Sequence, residues 1–213
     1  MTKPKRSPLL FFFATVIVIA LMARFGPEEK SLGSNVRIVY LHGAWVLTAE
    51  VAFILAGLCG ALALLASWMT AMRSRQAGLH AWSQALGRTG ITFWVTYLPL
   101  SLWAMQTNWN GLFLAEPRFR LALTFAIVGV LLQIGLSLFA LPWVTSLGNL
   151  LFIVALRITF ARAQNIMHPP PSPIFKSGLW NIILFFVLLN LLTWLAGWFL
   201  TRWWYERASH PAR

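Results

Sequence analysis

Six apolar stretches, each close to or above the roughly 20 residues that a helix needs to cross a bilayer, occupy most of this 213-residue chain. They run over about 8–25, 39–72, 89–106, 120–140, 144–166 and 179–203. This spacing predicts an all-α, polytopic integral membrane protein with six transmembrane helices, residues 1–213 forming a single domain. Within lipid a lone segment satisfies its own backbone donors and acceptors only as a helix. The second stretch would be roughly 50 Å long at about 1.5 Å per residue, so it must tilt or project beyond the hydrocarbon. The fourth and fifth are divided only by Leu141-Pro142-Trp143, where proline forces a tight hairpin.

Lys3, Lys5 and Arg6 precede the first stretch in the manner of a secretory leader. Leu21, two positions before Ala23, gives a poor small-x-small cleavage pattern, so the segment reads as a retained membrane helix. With six crossings the tails and the 73–88 loop share one side. The three leading cations place that side in the cytoplasm, because the first helix usually sets orientation. The expected location is the cytoplasmic (inner) membrane.

Composition removes several function classes. The chain carries a formal charge of +12, but its cations fall in tails and loops between apolar runs and form no stripe for nucleic acid. Part of that charge anchors to anionic headgroups. Cys59 is the single cysteine, which rules out a disulfide, a thiol redox pair or a thiolate-rich metal site. Aspartate is absent and Glu28, Glu29, Glu50, Glu116 and Glu206 are the only carboxylate side chains. A carboxylate acid/base pair or a hard-cation cage therefore has little to draw on. No phosphate loop or nucleophile elbow occurs, and the expectation is a protein that is not an enzyme.

Polar groups beside lipid are expensive, so the histidines carry information. His42 opens the second span, with Trp45 one turn on along the same face. His168 lies in Met167-His168-Pro169-Pro170-Pro171, where the prolines stiffen an extended loop. Alone, each is explained as an interfacial or solvated histidine. Together, at corresponding ends of membrane helices, they form a candidate pair to bind a metal or to grip a haem iron from both sides. The loop between spans three and four adds Trp109 and Phe113, flat apolar faces for a macrocycle, and Arg118 and Arg120, forks for propionates. An amphipathic segment lying on lipid would use the same residues.

Other features read as structural. Glu50 lies two turns below His42, with Arg157 of the fifth span as its candidate partner. Ala52, Ala56 and Gly60 form a strip for close helix approach. Gln133, Asn149, Asn181 and Asn190 are candidates for interhelical hydrogen bonds, and His80 and His210 read as solvated loop residues.

This layout resembles the haem-handling membrane proteins of cytochrome c maturation, the CcmC/CcsA family. The likeness rests on a histidine opening span two, an aromatic and arginine-bearing loop between spans three and four, and a histidine between spans five and six. Arg37-Ile38-Val39-Tyr40-Leu41-His42 is its closest local match, and Glu116-Pro117-Arg118 stands where the family shows Asp-x-Arg. The loop holds Trp109 as its only tryptophan, against several in the family. The resemblance implies haem binding for c-type cytochrome biogenesis, with His42 and His168 as axial ligands of a transient, non-covalent haem b. It also implies partners beyond the lipid bilayer: a haem-acceptor chaperone or synthetase and an ABC-type transporter. The alternatives are an accessory subunit of a larger membrane complex that keeps the fold without haem transfer, and a transporter using Glu50 and Arg157. No internal repeat of the kind a transporter shows is present.

Overall fold

The computed structural model describes residues 7–164 and 173–209. Among them the regular structure is helical, apart from one isolated bridge between Glu29 and Gly33. The helices are α1 (Pro8–Arg24), α2 (Val36–Ala66), α3 (Gln76–Trp109), α4 (Pro117–Phe139), α5 (Pro142–Ala161), a single turn α6 (Pro173–Lys176) and α7 (Trp180–Ser209), with a 3₁₀ turn at Thr70–Arg75. α2, α4, α5 and α7 are long and apolar enough to cross a bilayer, which makes this an α-helical, multi-pass membrane protein. α1 is apolar but has 17 residues. α3 has 34 residues, and threonine, tyrosine and tryptophan dilute its apolar character.

α2 and α3 pair at the centre. α7 packs against both on one flank with α1 outside it, and α5 packs against both on the other with α4 outside. Trp94, Tyr40, Phe93 and Phe186 are fully buried where these layers meet. Threonine pairs tie α7 to the central helices: the Thr48 and Thr193 hydroxyls lie 2.9 Å apart and those of Thr89 and Thr201 2.8 Å apart. In an apolar medium such bonds have no water to compete with, though measured contributions stay near 1 kcal/mol or below.

A second polar seam crosses the other flank. Gln133 of α4 donates to the Asn149 side chain of α5 at 2.9 Å, and Asn149 donates to the Ser83 carbonyl of α3 at 2.8 Å. The Ser83 hydroxyl donates to the Ala56 carbonyl of α2 at 2.9 Å. Four helices are thus linked in one chain of bonds. The seam depends on missing side chains: a Cβ on Gly87 would fall 2.7 Å from the Asn149 amide, and one on Gly60 would fall 2.6 Å from the Ser146 carbonyl oxygen. With Ala52 and Ala56 buried beside Gly60, the small-residue strip serves the close approach expected of it.

The Pro142 hairpin is present, with Ala140 in the left-handed region at φ 52° ending α4 and Pro142 in the first turn of α5. Other boundaries shift. α2 stops at Ala66, well short of 72. α3 begins at Gln76, a dozen residues before the apolar run, because 76–88 pairs good helix formers with apolar side chains on one face. His80 is consequently no solvated loop residue. It is buried on α3, its Nδ1 2.6 Å from the Ser146 hydroxyl of α5. Asn181 is exposed, and Asn190 donates back to the Phe186 carbonyl of its own helix. Neither makes the interhelical bond anticipated, whereas Gln133 and Asn149 do.

Candidate functional site

One end of the bundle gathers the start of α2, the end of α3, the start of α4, the end of α5 and the start of α7. Polar contacts hold this end together. Asn35, immediately before α2, donates to the Thr107 carbonyl at 3.0 Å, and Asn108 donates to the Asn35 carbonyl at 3.4 Å. Tyr40 donates its hydroxyl to the Pro27 carbonyl at 3.2 Å, while its ring packs on Phe185 and Phe186 of α7.

Arg37 fastens the 25–35 turn to α2. Its Nε donates to the Gly26 carbonyl at 2.9 Å and its terminal nitrogen meets Glu28 at 3.1 Å. Within the turn Glu29 accepts from the Ser31 hydroxyl and from the backbone N–H groups of Ser31 and Leu32. These bonds, the hydroxyl's foremost, hold its carboxyl below the ordinary glutamate range.

His42 lies half-buried two turns into α2, its ring 5.5 Å from that of Tyr97 on α3. Trp45 shares the face, donating to the Thr96 hydroxyl at 2.9 Å. Tyr97 continues into a line of buried rings: Trp94 at 5.1 Å, then Phe160 of α5 at 5.8 Å. Trp94 donates to the Ala122 carbonyl at 3.0 Å, which pins α4 to α3 at this level.

Deeper on α2, Glu50 pairs with Arg157 of α5 at 3.0 Å, the partner anticipated for it. Arg118 also lies within electrostatic reach of Glu50, and Tyr97 lies within reach of both Glu50 and Glu116. The arginine expected to face a ligand from the loop therefore belongs to a cluster that includes the intramembrane carboxylate.

Local sequence explains that placement. Glu116 caps α4, its carboxylate accepting from the Phe119 N–H, and Pro117 takes the first helical position. Arg118 and Arg120 are therefore in the first turn of α4, not in the loop. Cations at a helix N-terminus oppose the macrodipole, and Glu116 offsets that cost. Arg118 is half-buried and Arg120 exposed. Asn110, left-handed at φ 53°, turns the chain out of α3, and Trp109 packs edge-to-face on Phe113 at 5.9 Å. The bundle thus brings His42, Trp109, Phe113, Arg118 and Arg120 to one end. His168 and His210 lie outside the described residues.

Tyr97 and Trp94 were not anticipated as part of this region. Their signal was available in the mixture of threonine and aromatic residues that sets the third apolar stretch apart from the others. Among the described residues no group of three or more His, Cys or Glu side chains is arranged to hold a metal ion. The chain matches no family model, no curated protein and no solved structure.

Proposed function

We propose that the chain crosses the bilayer six times and binds haem b non-covalently at the His42 end of the bundle, on the outer face of the cytoplasmic membrane. In this reading it hands the haem to a protein of c-type cytochrome assembly and catalyses no reaction itself. The observation that carries the proposal is His42: a half-buried imidazole in ring contact with Tyr97, at the same end as Trp109, Phe113, Arg118 and Arg120. This donor set suits haem in kind, offering a nitrogen ligand, flat apolar rings and guanidinium forks. A haem iron needs only one or two protein ligands.

In the proposed complex His42 and His168 would hold the iron and Trp109 or Phe113 would contact the macrocycle. Arg118 and Arg120 would pair with propionates. Tyr97 positions His42 by restricting its ring, and the aromatic line through Trp94 and Phe160 keeps water from the apolar side. Haem would be carried as cargo, and with both histidines on its iron it would have no protein-free position for oxygen chemistry. A haem acceptor and an ABC-type transporter are the partners that accompany this reading. The test is a pyridine haemochrome spectrum and haem titration of the detergent-purified chain. His42→Ala and His168→Ala should each lower retention or shift the Soret band, and His210→Ala should do neither.

A second reading is an accessory subunit of a larger membrane complex. Arg118 within reach of Glu50, and Trp109 packed on Phe113, favour it, since both side chains already have company inside the chain. A purified protein with no haem affinity would select it.

A further inference from the structure

The opposite end of the bundle collects arginines on indole faces. Arg207 lies 4.2 Å from the centroid of a Trp203 ring, Arg88 5.1 Å from Trp204 and Arg202 5.9 Å from Trp198. Trp82 of α3 stacks on both Trp198 and Tyr205 of α7, at 5.4 Å and 4.6 Å. This joins the beginning of α3 to the end of α7 in one aromatic platform. Exposed Arg73 and Arg75 of the preceding turn add to it.

Carboxylate is scarce here. Among the described residues Glu206 is the one acidic side chain at this end, and it is taken by Arg202 at 3.2 Å. Arg88 uses one donor on the Ser137 hydroxyl of α4 at 3.2 Å, which leaves most of its five donors uncommitted. The buried Trp204 Nε1 has no hydrogen-bond partner. Stacking holds a guanidinium flat against an indole and leaves its edge free to donate. Arginine forks over an indole belt at the mouth of the α3–α7 contact match the phosphate of a lipid headgroup, with acyl chains lying along the helices below.

We propose that this rim is a binding site for anionic phospholipid, with Arg88 and Arg207 as the headgroup contacts and Trp203 and Trp204 as their supports. The site stands independently of haem binding at the other end. Excess positive charge selects an anionic over a zwitterionic headgroup, because the latter's own cation would meet the same arginines.

The test uses the full chain in detergent with phosphatidylglycerol or phosphatidylcholine added, reading retained lipid by native mass spectrometry and thermal stability in parallel. Wild type should retain phosphatidylglycerol in preference to phosphatidylcholine and be stabilised by it. Arg88→Gln and Arg207→Gln should each cut that retention about fivefold, corresponding to about 1 kcal/mol per arginine, while Lys30→Gln at the opposite end should leave it unchanged. Arg207 is exposed on the helix surface, so its variant keeps the fold even if Arg88→Gln does not. Equal retention of the two lipids by wild type, or an Arg207→Gln protein that behaves like Lys30→Gln, would overturn the proposal.

Discussion

The two ends of this bundle hold positive charge with a different balance of carboxylates and aromatic rings. At the His42 end two arginines meet carboxylates, Arg37 with Glu28 and Arg157 with Glu50, Glu116 offsets the arginines of the first turn of α4, and only Arg24 lies over a ring, that of Phe25, among the described residues. At the other end the arginines lie on tryptophan rings, with Glu206 as the lone acidic partner among the described residues. Three of the five glutamates, Glu28, Glu29 and Glu116, lie at the first end, and Glu50 sits midway along α2. An ion pair fixes a side chain and neutralises it, whereas stacking on an indole fixes it and leaves its charge available. At the first end Arg37 and Arg157 are fixed within the chain, and at the second the arginines over indoles keep their charge available.

The largest expected effect tests the fixed pair. Glu50→Ala should strand Arg157 without a counter-ion at membrane depth and destabilise the protein by about 3 kcal/mol. Adding Arg157→Ala should recover most of that loss, measured by unfolding in mixed micelles. At the opposite end Glu206→Ala breaks an exposed i,i+4 pair and should cost under about 0.5 kcal/mol. Equal costs for the two would erase the contrast.

Between the ends, Asn149→Ala should cost about 1–3 kcal/mol, since it leaves the Gln133 amide without its acceptor and removes the side-chain donor to the Ser83 carbonyl in a dry interface. Glu116→Ala should cost about 1 kcal/mol through loss of the cap. It should also weaken the proposed haem retention by letting the start of α4, with Arg118 and Arg120, fray.

The smallest effect concerns Glu29. Its carboxyl is held below the ordinary range in the folded chain, so its contribution is present above the unfolded glutamate pKa. That contribution is lost as pH falls through the lower folded value. Glu29→Gln should therefore flatten the acid limb of the stability profile near pH 4 and below, and leave stability differences at pH 8 unchanged with pH.

Much of the scaffold was legible because membrane helices obey few rules. Proline's missing N–H made the 141–143 hairpin readable, and the cost of a carboxylate at depth made the Glu50–Arg157 pair readable. The hidden parts are those where polarity and helicity part company. Residues 76–88 are amphipathic and escape an apolar-run criterion, which makes His80 look solvated in sequence although Ser146 meets it within the bundle. Glu116-Pro117 carried a helix-start signal that moved Arg118 and Arg120 out of the loop. The aromatic rim had a signature as well: Trp198 with Arg202, and Trp203 with Arg207, are spaced by four residues, one helical turn, though only folding brings Trp82 and Arg88 of α3 beside them.

Haem binding at the His42 end, as proposed, is read by equilibrium haem titration of the purified wild-type and His42→Ala proteins. Wild type should give a saturable Soret band, with binding at least tenfold weaker or a changed ligation spectrum for His42→Ala. Identical titrations of the two proteins, or no Soret band in either, would contradict it.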